Sequence, residues 1–283
     1  MKPAIRTVKK TFPGRPTLEG AGVRLRRVFG FRDVPLFDPF LMFDDFGSSN
    51  PEDYMAGFPW HPHRGIETVT YVLQGAVAHG DSLGNRGIIG RGDVQWMTAG
   101  GGIVHQEMPE KRPDALRGFQ LWVNLPSAQK MLAPRYRDIR GADIPEVEAP
   151  SGARVKVIAG RYRTASGPAR DIVIDPSYLD VDLPAGAVFE EEVPAAQTVF
   201  AYAISGSGLF EPKGKIVGAG NAVLYGKGTA VSVKAGDDGL RFLLVSGRPL
   251  GEPIAWRGPV VMNTEAELEQ AFEDYRNGTF LKS

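Results

Sequence analysis

The stretch His61-Pro62-His63-Arg64-Gly65-Ile66-Glu67-Thr68-Val69-Thr70-Tyr71-Val72-Leu73 decides how the chain is read. Residues 67–73 are rich in β-branched and aromatic side chains and run into the turn Gln74-Gly75, so they read as a short strand. Side chains alternate faces along a strand, so His61 and His63, two apart, project together. Working outward, the same grammar recurs. Asp93-Val94-Gln95-Trp96-Met97 follows Arg91-Gly92, and residues 118–125 end at Pro126. Residues 154–158, 178–183, 197–205, 230–233 and 240–245 continue the pattern. Short strands at this spacing predict an all-β sandwich or barrel rather than a parallel α/β sheet.

With 283 residues the chain suits one large domain or two medium ones. Residues 67–75 echo 197–206, and 91–94 echo 219–222, in the same order, as two copies of one β domain would. Residues 138–152, with their prolines, glycines and acidic side chains, read as a linker between domains at 1–137 and 153–283. Residues 126–132 read as a short helix capped by Ser127 and stopped near Pro134. Thr264-Glu265-Ala266-Glu267 is a capping box. It opens a C-terminal helix with Leu268, Ala271, Phe272 and Tyr275 at helical spacing and Gly278 as its stop.

Lysine plus arginine and aspartate plus glutamate are 33 each, so the formal net charge is zero. That argues against direct nucleic-acid binding, where a basic surface supplies the affinity. Cysteine is absent, which excludes disulfides, thiolate catalysis, iron–sulfur clusters and cysteine-bound zinc. The basic amino terminus lacks the apolar run of a secretory signal, and the apolar stretch 199–204 is too short to span a bilayer. The expectation is a cytoplasmic protein with no membrane contact. Phosphate-binding, dinucleotide-binding and nucleophile-elbow motifs are missing.

Histidine chemistry has only His61, His63, His79 and His105 to draw on. His105 and Glu107 share a strand face, as His61 and His63 do. If the two strands are neighbours, three imidazoles and a carboxylate converge inside the barrel. That donor set suits a first-row divalent metal with coordination positions left open. His79 lies beside Gly80-Asp81, a turn signal, and reads as solvated or structural. Glu67, four after His63, reads as a partner that orients a ligand rather than a ligand itself.

Five segments together resemble the pirin family of the cupin superfamily. They are residues 38–46 (Asp-Pro-Phe-Leu-Met-Phe-Asp-Asp-Phe), 61–71, 92–100 (Gly-Asp-Val-Gln-Trp-Met-Thr-Ala-Gly), 120–125 (Gln-Leu-Trp-Val-Asn-Leu) and 258–264 (Gly-Pro-Val-Val-Met-Asn-Thr). The resemblance spans nearly the whole chain. It implies two cupin (jelly-roll β-barrel) domains packed face to face, with one metal, commonly iron(II), in the amino-terminal barrel. The implied ligands are His61, His63, His105 and Glu107. Manganese, nickel, cobalt, copper and zinc are alternatives for the same donors. Aligning Gly220 on Gly92 sets Val233 opposite His105 and Ala235 opposite Glu107, so one metal per chain is expected.

Bacterial members of that family are associated with quercetin 2,3-dioxygenase activity. The resemblance therefore implies a flavonol-like aromatic substrate and O2, with Glu107 as the base for the 3-hydroxyl. Phe43, Phe46, Trp60, Trp96 and Trp122 are candidates to hold a flat ring. Gln120 shares a strand face with Trp122 and joins the candidate pocket. Two other functions remain open: a metal-dependent regulatory or redox-sensing partner protein, with Arg24-Leu25-Arg26-Arg27 as a possible docking cluster, and a cupin isomerase or small-molecule binder. A monomer is expected.

Overall fold

Short strands that alternate buried and exposed side chains build the chain, as the computed structural model of residues 3–281 describes. Met1, Lys2, Lys282 and Ser283, at the outer ends of the two expected domains, lie outside the described residues. Among the described residues no helix is long and apolar enough to cross a membrane.

The chain divides into two compact units, and neither is continuous in sequence. One comprises Arg15–Ala142 with Leu250–Ser283, the other Met1–Gly14 with Asp143–Pro249. The crossing at 142/143 falls inside the stretch read as a linker. Two exchanged ends separate these units from the sequence-based partition. The first strand, Val8–Pro13, hydrogen-bonds to the edge strand Asn221–Tyr225, and the tail from residue 250 joins the unit that carries the histidines.

In the histidine-bearing unit we number the strands β1 (Arg15–Glu19), β2 (Val23–Phe29), β3 (Phe40–Ser48), β4 (Phe58–His63), β5 (Ile66–Gln74) and β6 (Val77–Asp81). They continue as β7 (Arg86–Ile89), β8 (Val94–Thr98), β9 (Ile103–Pro109), β10 (Leu116–Asn124), β11 (Arg135–Ile139), β12 (Ala255–Arg257) and β13 (Val260–Met262). A seven-stranded antiparallel sheet runs β11-β8-β5-β10-β3-β2-β1, and a four-stranded sheet runs β4-β9-β6-β7. The chain leaves the smaller sheet and enters the larger one between β4 and β5, at Gly65. Its φ of +80° suits glycine, and a Cβ there would stand 1.9 Å from the Val261 carbonyl oxygen.

The tail supplies β12, β13 and helix α1 (Glu265–Arg276). The expected capping box is present: Thr264 Oγ1 accepts from the Glu267 amide at 3.2 Å, and Glu267 Oε2 accepts from the Thr264 amide at 2.9 Å. Leu268 and Ala271 are buried against Ala255, Val260, Met262 and Phe280. Full burial of a side chain such as Leu268 is worth about 1.5–3 kcal/mol. Tyr275, expected on the same face, is exposed and meets Phe280 edge-on.

The helix expected at 126–132 shrinks to a 3-10 turn, Ser127–Gln129, with Pro126 at the cap position and no side-chain cap. The Ser127 amide and hydroxyl both donate to the Glu252 carboxylate instead. Just beyond it Lys130 turns inward, and its Nζ donates to Gly65 O, Asn124 Oδ1 and Val261 O at 2.8–2.9 Å. Three acceptors match the three N–H bonds of an ammonium, which a continuing helix would not bring to that point.

The other unit holds a nine-stranded antiparallel sheet. Its interior is a continuous apolar cluster that includes Val157, Phe189, Phe242 and the two residues that the Gly92–Gly220 alignment sets opposite His105 and Glu107, Val233 and Ala235.

Candidate metal centre

β4 and β9 lie side by side, with His105 opposite His61 and Ile103 opposite His63. Strand alternation turns His61, His63 and His105 toward one another. Their ring centroids are 4.4–5.0 Å apart, and one nitrogen from each falls in a group whose atoms all lie within 4.8 Å of one another, close enough to share a metal ion.

The hydrogen bonds set the tautomers. His61 Nδ1 faces Pro59 O at 2.8 Å, and His63 Nδ1 faces Pro259 O at 3.0 Å. A carbonyl only accepts, so each Nδ1 carries the proton and each Nε2 presents a lone pair. Those two Nε2 atoms are 3.1 Å apart, and both ring nitrogens of His105 are buried without a hydrogen-bond partner. Two facing lone pairs and an orphaned imidazole are unfavourable alone and become favourable around a cation. The donors therefore fit a metal.

Burial lowers the pKa of all three rings, that of His63 to about 3 and that of His105 well below the usual imidazole range. In both, the neighbouring imidazoles add to the effect. Neutral imidazole is the form a metal requires. The same shift has a consequence for the metal-free protein. The folded state resists protonation while the unfolded chain takes up protons below about pH 6.5, so stability falls as pH drops from there toward 3. Urea melts of metal-free protein from about pH 7 down to about 4.5 should lose up to about 1.4 kcal/mol per unit per histidine. Glu107, raised by burial to about 7, works in the opposite sense over the same range. The measure is therefore the comparison with His63→Gln: the wild type should lose more stability on acidification than the variant. Equal pH slopes would contradict the neutral cluster.

Glu107 follows on β9, where the register with β4 shifts between His105 and Glu107. Burial pushes its carboxyl up to about 7 against the hydrogen bond from Thr70 Oγ1, 2.8 Å from Oε1. A divalent cation beside it would pull that value back down. Thr70 also lies 2.7 Å from Gln120 Oε1, in the row where β5 and β10 pair.

His61, His63, Glu107, Thr70 and Gln120 line a cavity of about 810 Å³ with walls from both sheets and the tail, and His105 lies buried behind that wall. Of the candidate pocket residues, Phe46, Trp60, Trp122 and Gln120 line it. Phe43 does not. Met42, Asp44 and Phe46 take the cavity face of β3, and alternation sends Phe43 to the opposite side, stacked between Phe29 and Phe119. Trp96 is likewise buried away from the cavity, its Nε1 donating to Glu67 Oε2 at 3.2 Å. Glu67 Oε1 accepts from Thr98 Oγ1 at 2.7 Å. The parity that aligned Glu67 with His63 does not carry across Gly65, because the chain changes sheets there.

His79 is not a turn residue. It is buried on β6 opposite Glu107, stacked on Tyr136 with centroids 4.6 Å apart and 5.5 Å from the His105 ring. The turn begins only after Asp81, whose Oδ1 accepts from the amides of Leu83 and Asn85. The Arg24–Arg27 cluster splits by alternation. Arg24 and Arg26 face outward, while Arg27 turns into the cavity.

Sequence reasoning missed the tail's part. Trp256, Arg257 and Pro259 line the cavity, and the Pro259 carbonyl orients His63. The only signal was the 258–264 segment, quoted for resemblance and given no role.

Known proteins can now be compared. A family model described as Pirin matches residues 22–123, and one described as the Pirin C-terminal cupin domain matches residues 178–281. A pirin-like protein of Caulobacter vibrioides is 47% identical over 281 residues, covering 98% of this chain and 99% of that one. The crystal structure of a quercetin 2,3-dioxygenase from Acinetobacter baumannii matches with a TM-score of 0.90 at 33% identity, covering 98% and 99%. The bacterial pirin YhhW of Escherichia coli, solved in complex with nickel(II), shares the fold at a TM-score of 0.64 and 23% identity, covering 85% and 98%. With one family model on each half and a relative matched end to end, the chain belongs to the pirin family of two-cupin proteins.

Proposed function

We propose that this pirin is a metal-dependent dioxygenase that opens the ring of a flavonol such as quercetin with both atoms of O2, releasing carbon monoxide. The observation that carries the reading is a trio of neutral imidazoles, two of which line, with the buried carboxylate of Glu107, a cavity of about 810 Å³ flanked by tryptophans. The similar Acinetobacter baumannii structure is named for the same activity.

His61, His63, His105 and Glu107 would hold one divalent ion, with iron(II) proposed first and manganese, nickel, cobalt, copper and zinc as alternatives. When bound, the ion supplies Lewis acidity toward substrate oxygens and, for iron, redox exchange with dioxygen. Glu107 accepts the proton of the substrate's 3-hydroxyl, being a carboxylate on the cavity wall that Thr70 holds in place. Thr70 spends its one hydroxyl proton on Glu107 and so holds its orientation, and Gln120 in turn holds Thr70 by turning its amide NH2 to donate to the Thr70 oxygen. Trp122 packs edge-on against His63 at 4.9 Å and at 5.8 Å from Trp256, so flat walls exclude water and align the ring.

Oxygen uptake by metal-loaded protein with quercetin tests the reading. Glu107→Gln should lower turnover by about 10²–10⁴-fold, with metal still bound through the three histidines. If the wild type consumes no flavonol with iron, manganese, nickel, cobalt or copper, the enzyme reading falls. A metal-dependent regulatory or binding protein then stands in its place.

A further inference from the structure

The cavity carries a charged cluster that the proposed chemistry leaves unused. Arg27 Nε and Nη2 donate to the two oxygens of Asp44 at 2.9 and 2.8 Å, and Nη1 donates to Glu19 Oε1 at 2.7 Å. All three residues line the cavity, and the Asp44 side chain is only 4% exposed.

Strand register locates the cluster relative to the metal ligands. Thr70 on β5 stands opposite Gln120 on β10, Gln120 opposite Asp44 on β3, and Asp44 opposite Arg27 on β2. Neighbouring strands are about 4.8 Å apart, so the backbone of Arg27 lies about 14 Å across the sheet from that of Thr70. Thr70 is the residue that holds Glu107. Gln120 and Asp44 make this row a polar stripe along the cavity wall, and Met42, Phe46 and Trp122 on the same strands flank it with apolar surface. The cavity wall is thus a polar stripe with apolar flanks, running from the Glu107 end to Arg27 over a span suited to an extended aromatic molecule.

The far end has a definite chemical preference. One guanidinium and two carboxylates sum to one negative charge. Three of the five guanidinium N–H groups are engaged, leaving two donors beside carboxylate lone pairs. A hydroxyl can donate to such a group and accept from it. An anion would be desolvated against net negative charge.

We infer that Glu19, Arg27 and Asp44 form a specificity wall, selecting ligands with a hydroxyl at the end remote from the metal-bound oxygens and rejecting ligands that are anionic there. The inference rests on the flavonol reading of the site. Tryptophans line the cavity, so quenching of their fluorescence in oxygen-free, metal-loaded protein reports binding without turnover. The probes are quercetin, 3-hydroxyflavone (no remote hydroxyl) and quercetin 7,4′-disulfate (an anion at either remote end). The wild type should bind quercetin roughly tenfold or more tighter than 3-hydroxyflavone, as expected for a hydrogen bond to a charged group. Glu19→Gln should narrow that ratio and tighten disulfate binding. Glu19 is the more exposed acidic partner, at 38%, so its replacement avoids disturbing the buried Asp44.

A wild-type ratio near one, or a ratio and disulfate affinity unmoved by Glu19→Gln, overturns the inference. Selective binding without any oxygen uptake overturns the dioxygenase reading and leaves the wall standing. Oxygen uptake with a ratio near one does the reverse. No binding of any flavonol overturns both.

Discussion

Replacing His105 with alanine is expected to empty the metal centre, lowering metal content after dialysis from about one ion per chain to near zero. The reason lies in its surroundings. His61 and His63 each spend Nδ1 on a carbonyl and keep Nε2 for a ligand, whereas His105 has no protein partner for either ring nitrogen. A buried imidazole with nothing to bond has a ligand role and little structural one. Losing a residue that only orients a ligand costs 10–100-fold in metal affinity, so losing the ligand itself should exceed about 100-fold. Elemental analysis of protein purified without a metal-charged column gives the content. Thermal melts with added metal give the affinity: the wild type should gain about 2.7 kcal/mol at a hundredfold excess over Kd, and His105→Ala should gain almost nothing. Full metal retention by His105→Ala would sink the three-histidine site.

Arg64→Met is expected to destabilise the fold by about 3–5 kcal/mol, the cost of breaking a buried ion pair. The Arg64 side chain is 2% exposed and donates in three directions: Nε to Gly101 O at 2.7 Å, Nη1 to Asp274 Oδ2 at 2.8 Å and Nη2 to Phe280 O at 2.8 Å. Its guanidinium also lies over the Phe280 ring, 4.3 Å from the centroid. One side chain therefore ties the residue after His63 to the loop leading into β9 and to the end of the tail. Guanidinium melts should show a lower midpoint with an unchanged m-value. Arg64→Lys should recover only part of the loss, because an ammonium cannot reproduce the planar fork. A change below about 1 kcal/mol would mean that the tail is held by apolar packing alone.

How much of this was legible depended on the range of the interaction. Alternation within one strand is local, so the shared face of His61 and His63, and that of Gln120 and Trp122, could be read directly. The capping box at Thr264 was equally local. Phe43 shows the limit of the same rule. Period two divides β3 into two faces without saying which one meets the cavity, and it is Met42, Asp44 and Phe46 that do. Glu67 shows another limit, since parity ends where Gly65 sends the chain into a different sheet. For His79 the structural reading holds and only the turn placement failed, for a third reason: Gly80-Asp81 has turn composition, yet Asp81 caps a turn that starts one residue later.

By itself the sequence determined that this is a two-fold repeated β protein without thiol chemistry, that its first half carries all four histidines, three of them with Glu107 in two strand-spaced pairs, and that its second half has no histidine at all. These follow from composition and from the two-residue period of a strand. Only the tertiary structure decided that Pro259, 196 residues from His63, sets that ring's tautomer, and that Arg27 turns inward to meet Asp44 and Glu19. It alone decided that the chain's two ends are exchanged between the compact units. Contacts of that kind depend on which strand edges and apolar faces find each other when the chain collapses. That outcome comes from the summed burial and backbone pairing of the whole chain, and no local window of residues contains it.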